Sequence, residues 1–132
     1  MVTMTLDKVR LLRFALVAIG VIFVVGVPVL MMTSSSWSWS PSQHEYEQMI
    51  MGVYMTLGIF LIRAAWDPIA NRSLIGFTIW SSLVHGAIML VQSIVDVGDR
   101  DNLLGDIPAL FAVAAILWFL MPTTPEPDRV RS

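Results

Sequence analysis

His85 is one of two histidines in a 132-residue chain without cysteine. The chemistry open to it is proton transfer, hydrogen bonding or metal ligation without thiolate help. On a helix turning ~100° per residue, Thr78, Ser81, His85, Gln92 and Asp96 fall within an arc of about 60°. Upstream, Glu47, Met51, Tyr54 and Gly58 share a similar arc. If two antiparallel helices turn these faces together, Glu47 reaches the depth of Asp96 and Gln92, and Tyr54 stops about one turn short of His85. Glu47, Tyr54, His85, Gln92 and Asp96 then form one polar cluster with Asp106 at its rim.

Two roles fit such a cluster. As interhelical glue, each hydrogen bond is worth ~0.6–2 kcal/mol, and Gly52, Gly58, Gly76 and Gly86 would let helix backbones approach. This packing role is the default for polar residues on apolar helices. As a pocket open to the outside, the cluster would accept protons or a ligand, with His85 titrating near neutral pH and Glu47 or Asp96 supplying counter-charge.

His44 and Glu47 stand three apart, a spacing that puts two ligands on one helix face and would need Asp96 or Asp106 to complete a divalent-cation site. The spacing also arises by chance, and acids near a helix N-terminus already favour the helix dipole, so no metal is expected. Ser81, His85 and Asp96 cannot form a hydrolase triad, because on one rigid helix Asp96 stands ~16 Å from His85. No phosphate loop, zinc-protease or haem-attachment motif occurs, so neither a catalytic residue nor a cofactor is expected.

These residues are carried on unusually apolar elements. Hydrophobic residues make up 56% of the chain and charged ones only 14%, where a soluble domain would have about a quarter charged. The apolar residues gather into four blocks, giving helices at about 14–32, 48–66, 73–97 and 106–121 of a single domain. Pro28 is expected to kink the outer end of the first helix. Its block is longer than a signal-peptide core and lacks a small-x-small cleavage pattern after it.

The segment 34–48, with Trp37, Trp39, Pro41 and Tyr46, reads as an interfacial loop. Asp67-Pro68 ends the second helix, Gly98 to Asn102 forms a charged turn, and Asp106 is placed to cap the fourth helix ahead of Pro108. The polar tail 122–132 is expected to be disordered. Arg63 can reach the headgroups or meet Asp67, and the nine methionines, scattered through the blocks, read as packing filler.

The predicted fold is an all-α four-helix transmembrane bundle. Seven of the eight basic residues (Lys8, Arg10, Arg13, Arg63, Arg72, Arg129 and Arg131) fall on the side shared by the two termini and the second-to-third turn. The positive-inside rule then puts both termini in the cytoplasm. A net charge of −2 and the lack of a basic patch argue against nucleic acid as a partner.

The run Glu45-Tyr46-Glu47-Gln48-Met49-Ile50-Met51-Gly52-Val53-Tyr54, then Trp80-Ser81-Ser82-Leu83-Val84-His85-Gly86-Ala87-Ile88-Met89 and Gln92-Ser93, resembles a family of small uncharacterised bacterial membrane proteins known only as a domain of unknown function. The layout of four short-looped helices is more loosely similar to the DoxX-like group, in architecture only. The first resemblance implies the bacterial inner membrane and draws attention to Glu45, Glu47, Gln48, Tyr54, His85 and Gln92, without an activity.

From the sequence, the leading functional expectation is an accessory, assembly or structural subunit. It would pack in the lipid bilayer against a larger membrane complex or as a homo-oligomer. A small proton-linked transporter or ligand-binding carrier using the polar cluster is the alternative, and a membrane enzyme acting on a quinone or lipid is the third reading.

Overall fold

Long runs of Leu, Ile, Met, Ala and Val, with the prolines of the described residues at helix starts and turns apart from Pro28, leave helix as the one conformation that satisfies every backbone group locally. A computed structural model describes residues 2–33 and 41–121, and among them the regular structure is all helical. The elements are α1 (Val2–Val21), a π-helical turn (Ile22–Gly26), α2 (Val27–Thr33), α3 (Pro41–Ala64), α4 (Arg72–Val95), a 3₁₀ segment (Val97–Leu103) and α5 (Asp106–Leu120). The first three run on without a break as one helical rod.

Several boundaries differ from the sequence reading. The first rod begins at Val2, so Lys8, Arg10 and Arg13 lie on its early turns. Pro41 opens α3, because a proline at the first position gives up only an N–H that has no partner there. Residues 41–47 are therefore helix and not loop, while Trp37 and Trp39 lie outside the described residues, as does the tail 122–132. Asp96 leaves helical geometry at φ −109° and ψ 124°, and its carboxylate receives the Gly98 N–H at 2.9 Å. The expected charged turn after it is a 3₁₀ segment. Gly105, not Asp106, occupies the cap position of α5, with no side-chain cap. Asp106 stands in the first turn, where the helix dipole favours an acid.

Pro28 acts one turn earlier than a simple kink. It has no N–H to offer the carbonyl four residues back and its ring crowds that carbonyl, so the preceding turn widens. The Val27 N–H reaches Ile22 O, five residues away.

The rods pair unevenly. α1 packs on α3 and on α5, and α4 packs on α5, whereas α3 and α4 touch only sparsely. The core gathers at one end, where Leu12, Leu16, Ile19 and Phe23 meet Leu61, Ala64 and Ala65 of α3 and the turn after it, Ile75 and Ile79 of α4, and Ala114 and Leu117 of α5. Alanines let the backbones converge there. Above that level α3 and α4 diverge.

The α1–α3 crossing is closer still. A Cβ placed on Gly20 would meet Gly58 O at 2.7 Å, and one on Gly58 would meet Gly20 O at 2.6 Å. Gly86 admits the Phe111 ring of α5, where a Cβ would find it at 3.3 Å. Gly52 and Gly76, also expected to allow close approach, face open space with nothing within 4 Å.

Candidate binding site between α3 and α4

Where α3 and α4 diverge, a half-open cleft of about 410 Å³ lies between them. Its α3 wall is Met49, Ile50, Val53, Tyr54 and Leu57, and its α4 wall includes Phe77, Ser81 and His85. The walls are mostly apolar, and the polar groups gather at the half-buried pair Tyr54 and His85, whose hydroxyl and Nδ1 share a hydrogen bond. Their ring centroids lie 5.8 Å apart. This side-chain bridge spans the gap that the helix backbones leave open.

Tyr54 is held from behind. The Phe23 ring meets it edge-to-face at 5.1 Å and 88°, a geometry that aromatic quadrupoles favour. Phe23 is buried and belongs to the π-helical turn, so the widening caused by Pro28 helps set the direction from which that ring approaches. Gly58, one turn beyond Tyr54 on α3, brings α1 near enough for the contact. Three rings in series, Phe23, Tyr54 and His85, thus link α1, α3 and α4.

Several hydroxyl groups bond carbonyls of their own helix. Ser81 Oγ donates to Thr78 O at 3.2 Å, Thr78 Oγ1 to Leu74 O at 2.9 Å and Thr56 Oγ1 to Gly52 O at 2.8 Å. Ser81 also lines the cleft. Among the described residues, no buried side-chain nitrogen or oxygen lacks a partner.

Of the residues singled out in the sequence, the structure brings Tyr54 and His85 together. Asp106, exposed at the start of α5, is the acid whose charge acts on both. Gln92 and Asp96 are exposed near the end of α4, and Asp96 is engaged with its own loop. Glu47 and His44 lie on α3, but their side chains are outside those described. Among the described residues no group of three or more His, Asp or Glu could hold a metal ion. The Arg63 guanidinium lies over the Phe60 ring, 5.9 Å from its centroid, while Asp67 accepts the Ala70 N–H at 3.1 Å.

Phe23 and Gly20 went unnoticed in the sequence. Nothing distinguishes Phe23 from other apolar residues of its block, and only Pro28 signals irregularity nearby. Gly20 had a readable cue, a small residue within a span, as did Gly58.

No curated protein and no solved structure matches the chain. The looser likeness to the DoxX-like group is not among the matches. Residues 7–127 match the family of unknown function DUF6632, and with nearly the whole length covered the chain belongs to that family.

Proposed function

We propose that this is a small bacterial inner-membrane protein, a bundle of four spans with both termini cytoplasmic, that binds a small amphipathic molecule in the cleft between α3 and α4. Its surface supports membrane residence. Leu6–Thr33 and Arg72–Val95 are long and apolar enough to cross a bilayer, yet only 22% and 28% of their apolar windows are buried. The core helix of a soluble protein would be mostly buried. Large apolar side chains such as Phe14, Phe77, Ile94 and Phe119 stand exposed, as lipid would allow and water would penalise. Hydroxyls bonded to their own helices suit the same solvent.

In the proposed bundle we take the two shorter apolar helices, Gln48–Ala64 and Asp106–Leu120, as the other two spans. At ~1.5 Å per residue, the 15 residues of α5 cover ~22 Å against a hydrocarbon core of ~30 Å, a mismatch that local thinning accommodates. Arg63 and Arg72 flank the α3–α4 turn, on the side that the positive-inside rule assigns to the cytoplasm.

One observation carries the binding reading: the Tyr54–His85 contact, lying in a cleft with otherwise largely apolar walls. Its volume of about 410 Å³ falls within the ~300–1,000 Å³ of small-molecule sites, which combine apolar walls with a few convergent polar groups. The second reading, an accessory subunit, draws on the exposed apolar outer faces of α3 and α4.

Native mass spectrometry of the protein released from lipid nanodiscs separates the two. A bound small molecule present in the wild type and lost in Val53→Trp, which fills the cleft from its exposed side, supports the binding reading. No bound small molecule, together with stoichiometric association with a larger membrane protein, supports the subunit.

A further inference from the structure

The cleft and its depth constrain the ligand. Tyr54 lies six residues, ~9 Å, inside the Gln48 end of the apolar stretch Gln48–Ala64, and His85 lies ten residues, ~15 Å, inside the Val95 end of α4. In the proposed bundle the pair therefore sits below one face of a ~30 Å hydrocarbon core. A phospholipid headgroup stays at the interface and cannot reach it.

The described lining residues include no Lys, Arg, Asp or Glu. An ionised head drawn to this depth would find no formal counter-charge among them, and it would be strongly disfavoured there. The pair itself is adaptable. If the Tyr54 hydroxyl donates to Nδ1, the His85 Nε2–H remains as a donor; if Nδ1–H donates instead, the phenolic hydrogen is the remaining donor and Nε2 accepts. Ser81 lines the same cleft.

We propose that the ligand is an uncharged, chain-bearing molecule whose ketone, quinone carbonyl or hydroxyl group hydrogen-bonds the Tyr54–His85 pair within the hydrocarbon core. This rests on the reading of the cleft as a binding site and adds the chemical class. The apolar walls formed by Ile50, Val53, Leu57 and Phe77 hold the chain, and entry is sideways from the lipid.

The test uses the full chain in phosphatidylcholine nanodiscs with ¹⁵N-labelled histidine, of which there are two, His85 being assigned by comparison with His44→Gln. Four probes of equal chain length are titrated: 2-dodecanone, 1-dodecanol, dodecanoate and dodecyltrimethylammonium. The two uncharged probes should shift the His85 ring nitrogens saturably and bind at least about tenfold tighter than the charged ones. Tyr54→Phe should weaken the uncharged probes and leave the charged ones unchanged. Charged probes binding as well as uncharged ones, with all binding lost in Val53→Trp, overturns the head-group assignment alone. If no probe moves the His85 resonances, the assignment and the cleft reading fall together.

Discussion

Adding one methyl group at two glycines of the same helix should have opposite effects. Gly52 and Gly58 both lie on α3 and differ in what a side chain would meet. At Gly52 nothing lies within 4 Å, so alanine there adds only helix preference, a gain of ~0.5–1 kcal/mol. At Gly58 the new Cβ would stand 2.6 Å from Gly20 O, 2.8 Å from Val24 Cγ2 and 2.9 Å from Phe23 Cβ. The first of these is backbone and cannot swing aside. Restoring ordinary contact at 3.4 Å requires α1 and α3 to part by roughly 0.8 Å. Overpacking of this kind costs about 1–3 kcal/mol, which outweighs the same helix-preference gain and leaves a net loss near ~1 kcal/mol. The separation also draws Tyr54, one turn away, off the Phe23 ring. Unfolding by SDS in mixed micelles, followed by tryptophan fluorescence, should show Gly52→Ala stabilised and Gly58→Ala destabilised. Gly58→Ala as stable as Gly52→Ala would refute the close crossing.

Other outcomes follow from the same geometry. Tyr54→Phe keeps the ring on Phe23 and removes the hydroxyl, so stability in the same assay should fall by only ~0.5–1.5 kcal/mol. A loss above about 3 kcal/mol would mean that the hydroxyl holds the fold together. His85→Ala should leave the protein folded and abolish ligand capture in the cleft; aggregation in mild detergent would point to a packing role instead. Reporter fusions at either terminus should be active only in the cytoplasm, and a carboxyl-terminal reporter active outside would overturn the topology.

The helical character was legible because apolar blocks and prolines dictate it. Pro68 and Pro122 bound their helices where the restricted backbone demands. Boundaries were less readable where charge misled. Lys8, Arg10 and Arg13 suggested that helix begins after them, yet long basic side chains sit readily on an exposed helix face. At the other boundary, Asp106 looked like a cap, but Gly105 takes that position.

The candidate site was legible in part for a similar reason. Helical arcs place Tyr54 and His85 each on the polar face of its own helix, since period fixes that, whereas their meeting is a tertiary feature. Arcs carry no information about how far apart two helices stand, so the divergence of α3 and α4, and with it the cleft, could not be read. The cluster also extended too far along α4: Gln92 and Asp96 share the arc of His85 but are exposed, and Asp96 leaves the helix to accept the Gly98 N–H. The support behind Tyr54 depends on a π-helical turn and a glycine crossing, which are tertiary features.

The central claim is that the cleft opens to lipid within the hydrocarbon core, and the absence of cysteine makes it directly measurable. A nitroxide attached at Ser81→Cys in nanodiscs should collide frequently with oxygen and scarcely at all with a water-soluble nickel chelate. Frequent collision with the chelate would make the cleft an aqueous passage and contradict the account, as would a label reached by neither reagent.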